Sequence, residues 1–196
     1  MNKPMTIDTL VEESIRASIA TKQALLGQSA NIAQAAQLLA ECYRNKGKTI
    51  FFGNGGSAAD AQHLAAEFEC RFMFDRDPLP SLALHTNTST VTAVSNDYSY
   101  NDLYARLLRA HARPGDVAIA ISTSGTSKNV LAAARLKHDL GIKLIALTGE
   151  NSGPLSEYAD VVVAVPSKVT GRIQECHILV GHILCEWTEA ALFHRA

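Results

Sequence analysis

His63 and Glu67 stand four residues apart in an Ala-rich segment, so a helix projects both from one face and offers an imidazole and a carboxylate to one point. Such a pair can bind a metal or exchange protons. The segment follows a glycine-dense turn, Gly53-Asn54-Gly55-Gly56-Ser57, at the end of the apolar run Thr49–Phe52, and Lys48–Cys70 therefore reads as strand, loop, helix. Gly53, Gly55 and Gly56 tolerate positive φ and have no side chain to block a ligand. Ser57 is expected to cap the helix, whose first-turn N–H groups then face an anion or a hydroxyl.

For an isolated helix a solvated i, i+4 pair is the simpler account of His63 and Glu67. The last helical stretch shifts the balance, because Gln174, His177 and His182 lie there among Ile173, Ile178, Leu179, Val180, Ile183 and Leu184. Polar groups left unpaired on such a surface cost up to several kcal/mol and need partners. Gln174 and His182 are separated by roughly 12 Å along a helix axis. They reach one metal only if their side chains lean together or if they come from different copies of the subunit.

Ser122-Thr123-Ser124-Gly125-Thr126-Ser127 follows another apolar run, Val117–Ile121. Five hydroxyls and a glycine just before a helix suit the three oxygens of a phosphomonoester, with no lysine required. Alone it is equally a Ser/Thr-rich turn; beside the glycine loop, phosphate binding is favoured, since ligands collect at the carboxyl ends of parallel strands. The glycine loop overlaps a dinucleotide fingerprint, which expects an acidic residue after the next strand. His85-Thr86-Asn87 stands there instead, and a nicotinamide role is set aside.

The elements that must hold these groups follow from periodicity. Ile7 to about Lys46 repeats apolar residues at helical spacing and reads as a helical hairpin jointed at Gly27–Ala30 and stopped at Gly47. Its apolar faces have two possible destinations, the parent domain or a partner subunit. Apolar runs at 49–52, 79–84, 117–121, 143–147 and 161–165 alternate with helical stretches, the last two of which are Asn129–Leu140 and about Thr170–Phe193. The expected fold is α/β, a three-layer sandwich with a five-stranded parallel sheet, one domain over 1–196.

The chain has 196 residues and a formal net charge of -1 with acids and bases interspersed, which gives nucleic-acid binding no electrostatic support. No run of about 18 apolar residues is present, and Met1–Thr9 lacks a secretion-signal layout, so no membrane role and a cytoplasmic location are expected. Cys42, Cys70, Cys176 and Cys185 form no CxxC pair and lie in apolar helical patterns; they read as buried thiols.

The run Phe52–Glu67, then Asn96-Asp97-Tyr98, Ile121–Gly125, Leu147-Thr148-Gly149 and Arg172–Leu184 occur in the order in which they resemble the phosphoheptose isomerases, a single-domain branch of the sugar isomerase (SIS) family. The resemblance extends from about Ala30 to Glu189. It implies a cytoplasmic homotetramer with active sites at subunit contacts, converting D-sedoheptulose 7-phosphate to D-glycero-D-manno-heptose 7-phosphate for surface-polysaccharide heptoses such as those of lipopolysaccharide. It also implies residue roles. Asn54, Gly55, Gly56, Ser57, Asn96 and Asp97 would meet the sugar, with Glu67 and Gln174. Ser122, Thr123, Ser124 and Ser127 would hold the phosphate. His63, Glu67, Gln174 and His182 would bind one Zn2+ per subunit, and Glu67 and His182 would be the acid/base pair. Val169-Thr170-Gly171 and the Glu69–Phe74 stretch depart from the usual pattern. A non-catalytic SIS protein that regulates a partner such as the replication initiator is the alternative; such relatives lack the residues at the Glu67 and His182 positions.

Overall fold

Five largely apolar runs pair into one sheet, whose three inner strands are buried on both faces and must be covered twice. The computed structural model describes residues 6–193; Met1–Met5 of the terminal segment, and the last three residues of the 1–196 domain, lie outside the described residues. Chain order is α1 (Ile7–Leu25), α2 (Ser29–Arg44), β1 (Thr49–Gly53), α3 (Gly56–Glu69), β2 (Ser81–Ala83), α4 (Thr88–Asp97), α5 (Leu103–His111), β3 (Val117–Ser122), α6 (Lys128–Ala134), α7 (Lys137–Leu140), β4 (Lys143–Gly149), β5 (Val161–Val165) and α8 (Thr170–Leu192). The sheet is parallel throughout, in the order β2-β1-β3-β4-β5.

The register sets the two cores. Phe51, Ile119, Ile145 and Val161 lie side by side across the sheet and face α2, α3 and α8 in one apolar cluster with Leu39, Leu64, Phe68 and Val180. Their neighbours Ile50, Phe52, Ala118, Ala120, Leu144 and Ala146 face the opposite way, onto α4, α5 and α6. The expected three-layer α/β sandwich is therefore the fold. Its strand order reverses between β1 and β3, and the crevice outside their carboxyl ends is where an open parallel sheet takes a ligand. The loops Gly53–Gly56 and Ser122–Ser127 leave from those two ends.

Four expectations need adjustment. The N-terminal segment is helical with its joint at residues 26–28, but α1 makes its main contacts with α8 while α2 covers both α8 and β5. The helix expected over Asn129–Leu140 is two helices, because the chain turns at Arg135–Leu136 before Gly141 (φ +64) ends the second. Ser57 does not cap α3; Gly55 does, at φ +57, without a side-chain hydrogen bond, and Ser57 is buried one step inside the helix. Cys70 is exposed because it falls just beyond α3, whereas Cys42, Cys176 and Cys185 are buried.

Candidate functional site

Asn54 is the joint between the two loops at the switch point. Its side-chain amide pairs in both directions with that of Asn129, Nδ2 of each donating to Oδ1 of the other at 2.8 Å. Tyr100 donates its hydroxyl to the same Asn54 Oδ1 at 3.0 Å, and Tyr104 donates to the carbonyl of Gly53. The glycine loop, the start of α6 and the segment after Asn96-Asp97 are thereby tied together. Asn96 and Asp97 end α4, both exposed, with Asn96 Nδ2 donating to Asp97 Oδ1 at 2.8 Å. Asn129 and Tyr100 were not singled out from the sequence; the only signal was the position of Asn129 two residues past the hydroxyl-rich turn.

That turn is held by its own hydroxyls. Ser122 and Ser127 side chains lie 3.2 Å apart, Gly125 N–H donates to Ser122 Oγ at 3.2 Å, and Ser124 and Thr126 side chains lie 2.9 Å apart. Gly125 sits at φ +65 with its missing Cβ pointing at the carbonyl of Ser152, so a side chain there would collide with the next loop. Thr123, Ser124 and Thr126 line a cleft of about 370 Å³ with Glu150, Ser167 and Lys168.

The second group of residues lies where α3 and α8 run side by side in the same direction. Gly181 on α8 has no side chain, and a Cβ there would fall 2.4 Å from Leu64 Cδ1 on α3, so the helices meet closely at this level. The residues next to this pair in sequence are His63 and His182. Their Nε2 atoms are 3.1 Å apart, and His63 Nε2 is 3.2 Å from Glu67 Oε1. The ligand atoms of His63, Glu67 and His182 all lie within 4.8 Å of one another.

Gln174 is placed elsewhere in the protomer. It faces the start of α3, where a Cβ on Gly56 would be 2.5 Å from its Nε2, about two helical turns from the His182 level. His177 is not part of the site: it is fully buried and its Nε2 donates to the Thr148 carbonyl at 3.0 Å. One turn before His63, Asp60 has a buried Oδ2 without a partner among the described residues. Burial pushes its carboxyl upward, partly offset by His63.

Residues 14–149 match the SIS domain family. The chain is 52% identical over 161 residues to a phosphoheptose isomerase of Rhodospirillum rubrum, covering 82% of this chain and 86% of that one. It is 47% identical over 186 residues to that of Aneurinibacillus thermoaerophilus, covering 93% and 94%. The chain belongs to the SIS family, among its phosphoheptose isomerases. In structure it is similar to phosphoheptose isomerase GmhA from Neisseria gonorrhoeae, with a TM-score of 0.89 at 40% identity, covering 94% of this chain and 100% of that one. A phosphoheptose isomerase from Francisella tularensis gives 0.90 at 36% identity, covering 94% and 98%. The SIS match spans both switch-point loops and the His63–Glu67 helix, whereas Gln174 and His182 on α8 lie beyond it.

Two imidazole nitrogens and a carboxylate oxygen converging on one point are a donor set that suits zinc or a similar divalent ion, with no thiolate involved. The chemistry of His63, Glu67 and His182 thus fits a metal.

Proposed function

We propose that this protein is an aldose–ketose isomerase that converts D-sedoheptulose 7-phosphate to D-glycero-D-manno-heptose 7-phosphate, the step that opens nucleotide-activated heptose synthesis for cell-surface polysaccharide. The observation that carries the reading is the convergence of Glu67 with His63 and His182 on one face of the α3–α8 seam. A non-catalytic role as a regulator of a partner is disfavoured by that same convergence.

The chemistry follows from the groups. The phosphate is gripped by Ser122, Thr123, Ser124 and Ser127, and the sugar hydroxyls by Asn54, Gly55, Gly56, Ser57, Asn96, Asp97 and Gln174. Glu67 takes the proton from C1 of the ketose and returns it to C2, while the hydroxyl proton passes from O1 to O2 with His182 as its carrier; the enediol between them keeps atoms and charge balanced. His63, Glu67, Gln174 and His182 would hold the zinc ion, which when bound polarises the substrate carbonyl.

The site is shared between subunits of a cytoplasmic homotetramer in this reading. What supports sharing is distance: Gly56 and Glu67 are separated by about 16 Å of helix at 1.5 Å per residue. Gln174, two turns from His182 in its own chain, likewise serves a metal near His182 only from another copy. Incubation of the metal-supplied protein with sedoheptulose 7-phosphate tests the proposal. An aldose heptose 7-phosphate is the expected product, and a clean negative would leave a sugar-phosphate receptor.

A further inference from the structure

The eleven residues between α3 and β2 contain no regular structure, yet they surround a fully buried ion pair. Arg76 Nε donates to Glu189 Oε1 at 2.8 Å, with side-chain exposures of 1% and 0%. Glu189 accepts two further hydrogen bonds, from the backbone N–H of Phe72 to Oε1 and of Met73 to Oε2, both at 2.7 Å. The Arg76 guanidinium closes the end of α3: Nη2 donates to the Glu67 carbonyl at 2.8 Å and Nη1 to the Phe68 carbonyl at 2.7 Å. Nη1 also donates to the Asp77 carbonyl at 3.0 Å.

Both ends of this network arrive at the acid/base pair. One ends on the backbone of Glu67 itself. The other ends on Phe72, whose N–H is fixed by Glu189 and whose ring stacks on the His182 imidazole at 5.3 Å between centroids and 26° between planes. His63 lies on His182 as well, at 5.2 Å. Glu189 follows His182 by two turns of α8, so one helix presents both the imidazole and the carboxylate that fixes the ring packed on it.

We infer that Arg76, Glu189 and Phe72 are positioning residues for the isomerase reaction, setting the place of Glu67 and the ring plane of His182. This rests on the function proposed above. A buried ion pair adds little stability over an apolar pair of the same volume, but its directional, charge-assisted bonds hold a segment without regular structure in one geometry. The pair acts on groups that carry the chemistry and leaves the phosphate-gripping loops at the switch point untouched.

The consequence is a split between kcat and KM. In Phe72→Leu, kcat should fall about 10- to 100-fold, the range set by small misplacements of reacting groups, with KM for sedoheptulose 7-phosphate within about 3-fold. Phe72→Tyr, which keeps the ring, should restore kcat to within about 3-fold of the unsubstituted protein. Phe72→Met, similar in volume but without a ring, should behave like Leu and serves if the Leu variant melts early. Wild-type kcat in Phe72→Leu and Phe72→Met, equal loss in Phe72→Tyr, or a loss carried by KM overturns the positioning role. Absence of turnover by the unsubstituted protein instead overturns the isomerase reading itself, so the two failures are told apart.

Discussion

In the proposed reaction Glu67 is the residue on which the chemistry turns, and its carboxylate can be removed with little change of shape. Glu67→Gln keeps the volume and a carbonyl oxygen facing His63, so the variant should melt within a few degrees of the parent. Its kcat should drop by about 10²- to 10⁴-fold, the usual weight of a general base; substantial turnover in a folded variant would take Glu67 out of the mechanism. His177 gives a prediction of a different kind. The Thr148 carbonyl accepts from Nε2, so Nε2 carries the proton, and Nδ1 has no partner among the described residues. Burial disfavours a second proton and lowers the pKa to about 4 against the carbonyl's opposing pull. The unfolded chain takes that proton near pH 6.5, so between the two values it binds more protons than the fold. The stability present above pH 6.5 is thus lost as pH falls toward 4. At roughly 1.4 kcal/mol per pH unit the loss approaches about 3 kcal/mol. Urea unfolding at pH 7.5 and 4.5 should show it, and His177→Gln, whose amide can still donate to Thr148, should lose that part of the difference.

Among the elements, the α3–α8 seam decides whether the site exists. Leu64 meets Gly181 with no room for a Cβ, and the next residues outward are His63 and His182. Gly181→Ala should force Leu64 aside, destabilise the fold by about 1–3 kcal/mol as overpacking does, and reduce turnover by separating the imidazoles. Leu64→Ala in the same chain should recover part of both losses, a coupling of opposite sign to either single change; additive losses in the double variant would show that the seam does not set the spacing. This contact also marks the limit of what the sequence disclosed. The strands were legible because Val117–Ile121 and its counterparts are apolar without alternation, and the His63/Glu67 pair because four residues make one helical turn. The nearness of His182 to His63 was not, since these residues are 119 apart in sequence and it depends on how two helices are set in register by a glycine. Arg76 and Glu189 were invisible for a related reason: an arginine in an irregular, charge-rich stretch reads as solvated until the fold closes over it. The break at Arg135–Leu136 was missed because its residues are good helix formers, and the requirement to enter β4 overrides their propensity.

At the scale of the whole molecule, α1 is the element that the chain's own core does not account for. Ile7, Val11, Ile15 and Ile19 recur every four residues and are 70%, 50%, 56% and 51% exposed, and Leu25 is the only buried residue of the helix. A second apolar surface lies close by, a groove of about 390 Å³ lined by Leu25, Leu26, Ile32, Leu179, Ile183 and Trp187 where the end of α1, α2 and α8 meet. Continuous apolar surface of this kind is rare on a monomer, and a closed homo-oligomer is the commonest way to cover it. The spacing of Gly56, Glu67, Gln174 and His182 along α3 and α8 is the reason given above for proposing a site shared between subunits. If the site is completed by another copy of the chain, as proposed, covering α1 and completing the site are a single event. Ile15→Glu with Ile19→Glu places two charges on the stripe, far from the sheet, and should leave the circular-dichroism spectrum of the fold intact. Sedimentation should show a shift from tetramer to smaller species, and turnover should fall in step with the tetramer fraction. A dissociated variant with full activity would confine the site to one chain, and an undisturbed tetramer would move the interface away from α1.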